Sequence, residues 1–298
     1  MNDTIKGTLF AFLAYASYAG SDAFIKASGE HFTIFQIGFF ITLFSSIPII
    51  LGRPATEKWG EALKISNPIQ VHARGISALL GGICAIFAFT NLPLAEAYAL
   101  IFLIPTFVTI LSVVFLKESV GWRRWSAVAL GFVGILFIVR PGFQEIKLAH
   151  LAGIGCAFFG AISIATMRSI SGKEKRITIL SVIFLYNLVF YTIAMLATFQ
   201  SIDHTLLLVL AAGGVLSGFG HLSILRATSL APANRVAPTQ YSQIIWAVII
   251  GIIIFNEYPD KFTYIGIAIV GASGILIFMR EEAKGNKRIH INRFRNRL

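Results

Sequence analysis

Apolar stretches long enough to cross a membrane recur from one end of this chain to the other, near residues 6–27, 32–52, 70–91, 93–116, 122–140, 148–170, 177–199, 205–227, 233–255 and 260–280. A hydrocarbon layer of about 30 Å takes roughly 20 helical residues to span, so each stretch reads as a transmembrane helix. In lipid the backbone must satisfy its own hydrogen bonds, which a helix does within a single segment. With 56% apolar residues, 13% charged residues and a mean hydropathy of +0.77, the chain carries more apolar surface than a soluble core could hide. The spans use up the 298 residues and leave no room for a soluble domain. The expected fold class is an all-α integral membrane protein of ten spans.

The net charge of +11 would point to nucleic acid in a soluble protein, but here the position of each cation matters more than the sum. With the N-terminus placed in the cytoplasm, all of the 25 Lys and Arg except Lys26, Arg140, Lys147 and Lys261 fall on the cytoplasmic face. This is the asymmetry of the positive-inside rule, and it puts both termini in the cytoplasm of a bacterial inner membrane. Adding or removing one span would scramble it, so the distribution also supports the number ten. A cleaved signal peptide is a rival reading of residues 6–27, with Ala14 and Ala16 as a small-residue site, but cleavage would remove one member of the repeat described next. Cys84 and Cys156 lie inside spans, outside any ligand pattern, and read as packing residues.

The chain repeats itself. Gly131, Gly134, Ile135, Leu136 and Arg140 match Gly271, Gly274, Ile275, Leu276 and Arg280 at a constant offset of 140; Gly7, Ala11, Phe12 and Ser17 match Gly153, Ala157, Phe158 and Ser163 at 146. Glu118 and Glu257 close the fourth and ninth spans alike. The repeats are residues 1–141 and 148–281, with a basic cytoplasmic tail over 282–298 that can touch anionic lipid. Five spans is an odd number, so the second copy enters the membrane inverted. Inverted halves are the architecture of alternating access, in which a central site opens first to one side and then to the other. Prolines recur at corresponding places, Pro93 and Pro105 around the fourth span and Pro232 and Pro238 around the ninth, and mark both as bent walls of a cavity. Gly214-x-x-x-Gly218 in the eighth span allows close helix contact or sliding.

The repeated five-helix unit, the closing glutamates and the Gly-x-x-Gly-Ile-Leu run resemble the EamA-type members of the drug/metabolite transporter superfamily, over nearly the whole chain. Within that group, Leu-Ala-Glu-Ala-Tyr-Ala-Leu at 94–100 and Pro-Thr-Gln-Tyr-Ser-Gln-Ile-Ile-Trp-Ala at 238–247 look like YddG-type exporters of aromatic and other amino acids. The resemblance implies a basket of helices around a central cavity, with the third, fourth, eighth and ninth spans prominent.

Candidate substrate-binding residues are Tyr98 in the fourth span, Asn187 in the seventh, His221 in the eighth, and Gln240, Tyr241, Gln243 and Trp246 in the ninth. Aromatic surface with a few amides suits a zwitterionic or aromatic solute. Tyr241 could equally anchor the lipid interface, the mid-span Trp246 less so. His221 must face protein or water, and could bind substrate, relay a proton, or simply hold a neighbouring helix; Asn187 and Tyr186 could likewise be helix glue. Glu96, Pro105 and Pro238 are candidates for coupling or gating. Glu96 also stands in the first turn of its helix, where the dipole favours a carboxylate, and Asp22 stands four residues before Lys26, as a simple ion pair would.

No motif calls for a catalytic residue, a cofactor or a metal, and none supports ATP hydrolysis. The expected function is a secondary transporter or facilitator of amino acids, directed outward, working as a monomer in membrane lipid without nucleic acid. A carrier for another metabolite such as a nucleotide sugar, and a membrane-embedded lipid-modifying enzyme, are the alternatives.

Overall fold

The computed structural model describes residues 2–54, 56–116, 121–140, 145–170, 172–276 and 279. Glu118, Arg280 and the basic tail therefore lie outside the described residues.

The described chain is helical throughout. In order it forms α1 (Asp3–Ser28), α2 (Ile34–Leu51), α3 (Pro68–Asn91), α4 (Leu94–Ile101), α5 (Ile104–Leu116), α6 (Trp122–Val139), α7 (Leu148–Ile170), α8 (Arg176–Ala197), α9 (His204–Leu230), α10 (Ala233–Val236), α11 (Ser242–Phe255) and α12 (Lys261–Leu276), with short 3-10 turns at Trp59–Glu61 and Ala237–Tyr241. Seven helical stretches among the described residues are long and apolar enough to cross a membrane. The shorter apolar Trp125–Val139 and Lys261–Leu276, together with the 26-residue α1, coincide with the other three stretches expected from the sequence. α1 is the least apolar because it carries Asp3, Lys6, Asp22 and Lys26.

Local chemistry explains the boundaries. The Asn2 side chain caps α1 by accepting from the Thr4 N–H, Thr33 and Gln36 form a capping box on α2, and Pro68 opens α3 where its missing N–H costs nothing. The fourth and ninth spans are each broken into two helical pieces. α4 stops after Ile101 and α5 resumes at Ile104, with Pro105 in its first turn; α10 passes through the Pro238-containing 3-10 turn into α11. Proline at these positions lacks the donor a continuous helix would need.

Contacts between corresponding helices run antiparallel. In α6 and α12, Gly131 faces Ser273, Gly134 faces Val270 and Ile138 faces Gly266, one number rising as the other falls. A side chain on Gly266 would stand 2.7 Å from the Gly134 carbonyl oxygen, so the two backbones touch there. α2 and α8 behave alike, with Gly38 against Tyr191 and the Thr33 hydroxyl 3.4 Å from that of Thr198. The most extensive contacts join α1 to α9 and α3 to α7. Gly7 seats Ala231 and Gly220 seats Tyr18 in the first pair; Gly81 approaches Phe159 in the second. Each half thus lays its first helix along the third helix of the other. Gly214 and Gly218 press against Phe44 and Pro48 of α2, the close packing their spacing foretold.

The connection from 52 to 67 is folded onto the start of α8. Arg176 pairs with Glu57 at 3.0 Å, Lys175 with Glu61, the Thr178 hydroxyl donates to the Glu61 carbonyl at 2.8 Å, and Glu174 accepts from the Ser66 and Asn67 backbone. The Lys175 ammonium holds Glu61 below the usual carboxylate range.

Candidate functional site

Where the broken fourth and ninth spans meet α1, three polar side chains converge among aromatic rings. The Tyr98 hydroxyl on α4 donates to Asp22 of α1, and the Gln243 amide on α11 donates to the Tyr98 oxygen at 3.4 Å. Tyr98 is 3% exposed and Gln243 9%, while Asp22 is half-buried. The Phe89 ring of α3 lies 5.1 Å from Tyr98, and Phe102, at the break after α4, lies 6.2 Å from it on the other side. Phe102 then stacks on Tyr241 with centroids 5.2 Å apart and planes 26° from parallel. Phe102 and Tyr241 differ by the same 139 positions as Glu118 and Glu257, and as Pro93 and Pro232. Equivalent positions of the two matched halves are therefore in mutual contact.

One end of the bundle above this cluster is tied shut by charge. Lys26 pairs with Glu257 at 2.7 Å and also donates to the Leu92 carbonyl at 2.7 Å, while the Leu94 N–H donates to Glu257 at 3.0 Å. Arg140 pairs with Asp260 at 2.6 Å. His150 Nδ1 accepts from the Lys147 N–H at 3.0 Å, which leaves Nε2 facing Glu96 at 3.8 Å. Burial pulls Asp260 up, but hydrogen bonds from Thr263 and the Arg140 guanidinium outweigh it and hold the carboxyl below its usual range. Among the described residues the two non-glycine residues with left-handed backbone, Arg140 at φ 45° and Asn256 at φ 54°, are respectively a member of this latch and the neighbour of Glu257. Such a conformation costs about 1–3 kcal/mol and persists only where its surroundings enforce it. A cavity of about 260 Å³ lies within the latch, among Pro93, Glu96, Arg140, Glu257, Asp260 and Thr263. Toward the other end, an apolar cavity of about 510 Å³ opens between α5 and α7, lined by Val108, Leu111, Phe158, Ile162 and Thr166.

The structure thus brings together Tyr98, Tyr241 and Gln243 from the sequence candidates, with Gln240 half-buried in the same 3-10 turn as Pro238. Pro105 follows the α4 break, and Glu96 belongs to the latch. Trp246 is 38% exposed, one turn beyond Gln243 and outside the ring stack. His221 bonds the Ser217 carbonyl at 3.0 Å and meets the Tyr18 ring edge-on at 5.3 Å, one turn of α1 away from Asp22. Asn187 lies on α8 beside Tyr186, whose hydroxyl is 3.1 Å from His72 of α3, away from the cluster.

One expectation is overturned. Asp22 and Lys26 do not pair: Lys26 reaches Glu257 and the Leu92 carbonyl, and Asp22 receives Tyr98. A pair on one helix face gains only about 0.2–0.5 kcal/mol, less than contacts that tie separate helices together in a partly buried setting. Sequence reasoning missed Asp22 for this reason, although a carboxylate deep in a span is by itself a functional signal.

The EamA-like transporter family matches residues 5–140 and again 147–279. The chain belongs to that family. It is a multi-pass membrane transporter of small molecules rather than an enzyme. An S-adenosylmethionine uptake transporter of Rickettsia conorii is 29% identical over 300 residues, 97% of this chain and 99% of the relative. A riboflavin transporter of Vibrio cholerae is 28% identical over 67% of each chain, and the pseudopaline exporter CntI of Pseudomonas aeruginosa is 27% identical over 87% of this chain and 91% of its own. A solved crystal structure superposes with a TM-score of 0.63 at 14% identity, covering 91% of this chain and 96% of that one, which speaks to the fold alone.

Proposed function

We propose that this EamA-family protein is a secondary carrier of amino acids and amino-acid-like metabolites, working by alternating access between inverted halves 1–141 and 148–281. The observation that carries the reading is the cluster of Tyr98, Gln243, Phe102 and Tyr241, built from both broken spans beside the pseudo-axis. Rings with an amide and a phenol suit an aromatic or zwitterionic solute, and a site shared by both halves is where rocking would change access. Tyr98, Tyr241 and Gln243 are assigned to the substrate, with Gln240, Trp246 and His221 around the route to it and Asn187 at the margin. Glu96, Pro105 and Pro238 act in gating.

Charge distribution supports cytoplasmic termini in a bacterial inner membrane, with the tail 282–298 against anionic lipid. The latch then faces the periplasm, and two of the four cations on that side, Lys26 and Arg140, are neutralised in ion pairs. The conformation is closed outward. The protein acts as a monomer, since one chain supplies both halves. Resemblance to amino-acid exporters supports outward movement. The end-to-end match to an S-adenosylmethionine uptake transporter favours a second reading, inward movement of a larger amino-acid conjugate. A nucleotide sugar fits less well, because no cation contacts the ring cluster among the described residues.

The test is flux through liposomes holding the purified protein and loaded with labelled tryptophan, leucine or S-adenosylmethionine, against empty liposomes and the Gln243→Ala and Trp246→Ala variants. Saturable flux of tryptophan or leucine that is competed by unlabelled solute and weakened by Gln243→Ala is expected. Flux of S-adenosylmethionine alone would favour the second reading, and flux of none of the three would sink both.

A further inference from the structure

Asp22 is out of place for a residue of purely structural use. It sits on α1 about six residues, or roughly 9 Å, from the end of the helix, in a chain whose helices are otherwise sheathed in apolar side chains. A carboxylate at such depth is costly unless a proton or a cation accompanies it. The cation nearest in sequence, Lys26, is committed to Glu257 and the Leu92 carbonyl, and among the described residues no Lys or Arg pairs with Asp22. What meets the carboxyl is the Tyr98 hydroxyl, with the Gln243 amide behind it; the Tyr98 ring in turn packs against Phe89 and Phe102, and Phe102 against Tyr241. Aromatic faces attract cations and do nothing for anions. Around the 260 Å³ cavity of the latch Lys26 and Arg140 pair with Glu257 and Asp260, and Glu96 adds one further carboxylate, so the lining leans acidic.

We infer that Asp22 binds the positive head group of the cargo, so that this carrier selects solutes bearing an ammonium or sulfonium on an apolar or aromatic body. The inference rests on the carrier function proposed above and names its substrate class. Tyr98 holds the carboxyl in place for the incoming cation, the rings take the body of the solute, and Gln243 is free to meet a carboxylate or amide at its other end. Neutral and anionic analogues of the same shape leave Asp22 without a counter-ion and are rejected.

Binding to the purified full-length protein in detergent, measured by calorimetry, tests this with two families of probe. On one indole body, tryptophan and tryptamine carry the ammonium and indole-3-propionate lacks it; on an adenosyl body, S-adenosylmethionine is charged and methylthioadenosine is not. The members bearing an ammonium or sulfonium should bind at least about thirtyfold more tightly than the member of their family that lacks it, and Asp22→Asn should remove roughly that factor. Asp22→Glu, which keeps the charge, should restore part of it, and matching melting curves for the three proteins separate loss of recognition from loss of fold. Equal binding of tryptamine and indole-3-propionate, or undiminished binding of tryptamine to Asp22→Asn, would overturn the inference while leaving a carrier that is blind to charge. Absence of binding by every probe of both families would overturn the amino-acid-like cargo itself, and the inference with it.

Discussion

At the scale of single residues, Tyr98 links everything polar in the centre of the molecule, donating to Asp22 and accepting from Gln243. Tyr98→Phe keeps the ring and its contacts with Phe89 and Phe102 but leaves a carboxyl and an amide without their shared partner. The cost of an unsatisfied buried group is about 1–3 kcal/mol, so chemical unfolding in detergent should show a destabilisation of that size, and no change would mean that water replaces the hydroxyl freely. The Phe102–Tyr241 stack invites a double-mutant cycle with alanine at both positions, for which a coupling of about 0.5–1.5 kcal/mol is expected. Much of this chemistry was legible beforehand: an aromatic or amide side chain in a proline-interrupted span has few reasons to be there except a cavity. Asp22 was not legible, because the helical spacing to Lys26 offered a sufficient local explanation, and only tertiary structure shows Lys26 spent on a glutamate from the other half of the chain.

Among the elements, α4 is held from two directions. Lys26 and Glu257 grip the Leu92–Leu94 segment at its start, and Asp22 holds Tyr98 one turn further on. Opening the latched end must therefore release the segment that carries Tyr98, which would couple access to the proposed site with its shape. In a background of Cys84→Ala and Cys156→Ala, Lys26→Cys with Glu257→Cys should be joined by a short reducible thiol cross-linker, flux should stop, and reduction should restore it. Continued flux in the cross-linked protein would show that the latch does not move. The Arg140–Asp260 pair gives a different expectation. A carboxyl held below its usual range contributes its stabilisation at every pH above the ordinary aspartate value near ~3.9, and loses it only as pH falls through the lowered value. Flux measured between about pH 5 and 8 should thus change in amplitude with Asp260→Asn but keep the shape of its pH profile. The breaks in the fourth and ninth spans could be foreseen from Pro105 and Pro238; the fold of residues 52–67 onto α8 could not, since its ion pairs join loops more than a hundred residues apart.

For the whole molecule, the repeat in the sequence says which helices correspond but not which ones touch, because correspondence is written in one copy at a time while packing joins the two. The structure supplies that missing step. α1 lies along α9 and α3 along α7, so each five-helix half covers a glycine-lined face of the other. A half made alone would leave those faces to lipid, forfeiting the close backbone approach that stabilises helix pairs in a membrane, where apolar burial alone gives little preference for protein over lipid. It could recover the contact by pairing with an inverted copy of itself, but the cations of residues 1–141 lie so heavily on one face that every copy would insert the same way. Chains 1–141 and 148–298 produced separately should therefore lack a cooperative unfolding transition, whereas the two produced together should purify as a one-to-one complex that carries solute. A first half that folds and melts cooperatively alone would mean that its own helices, and not the exchange of helices across the axis, hold it together.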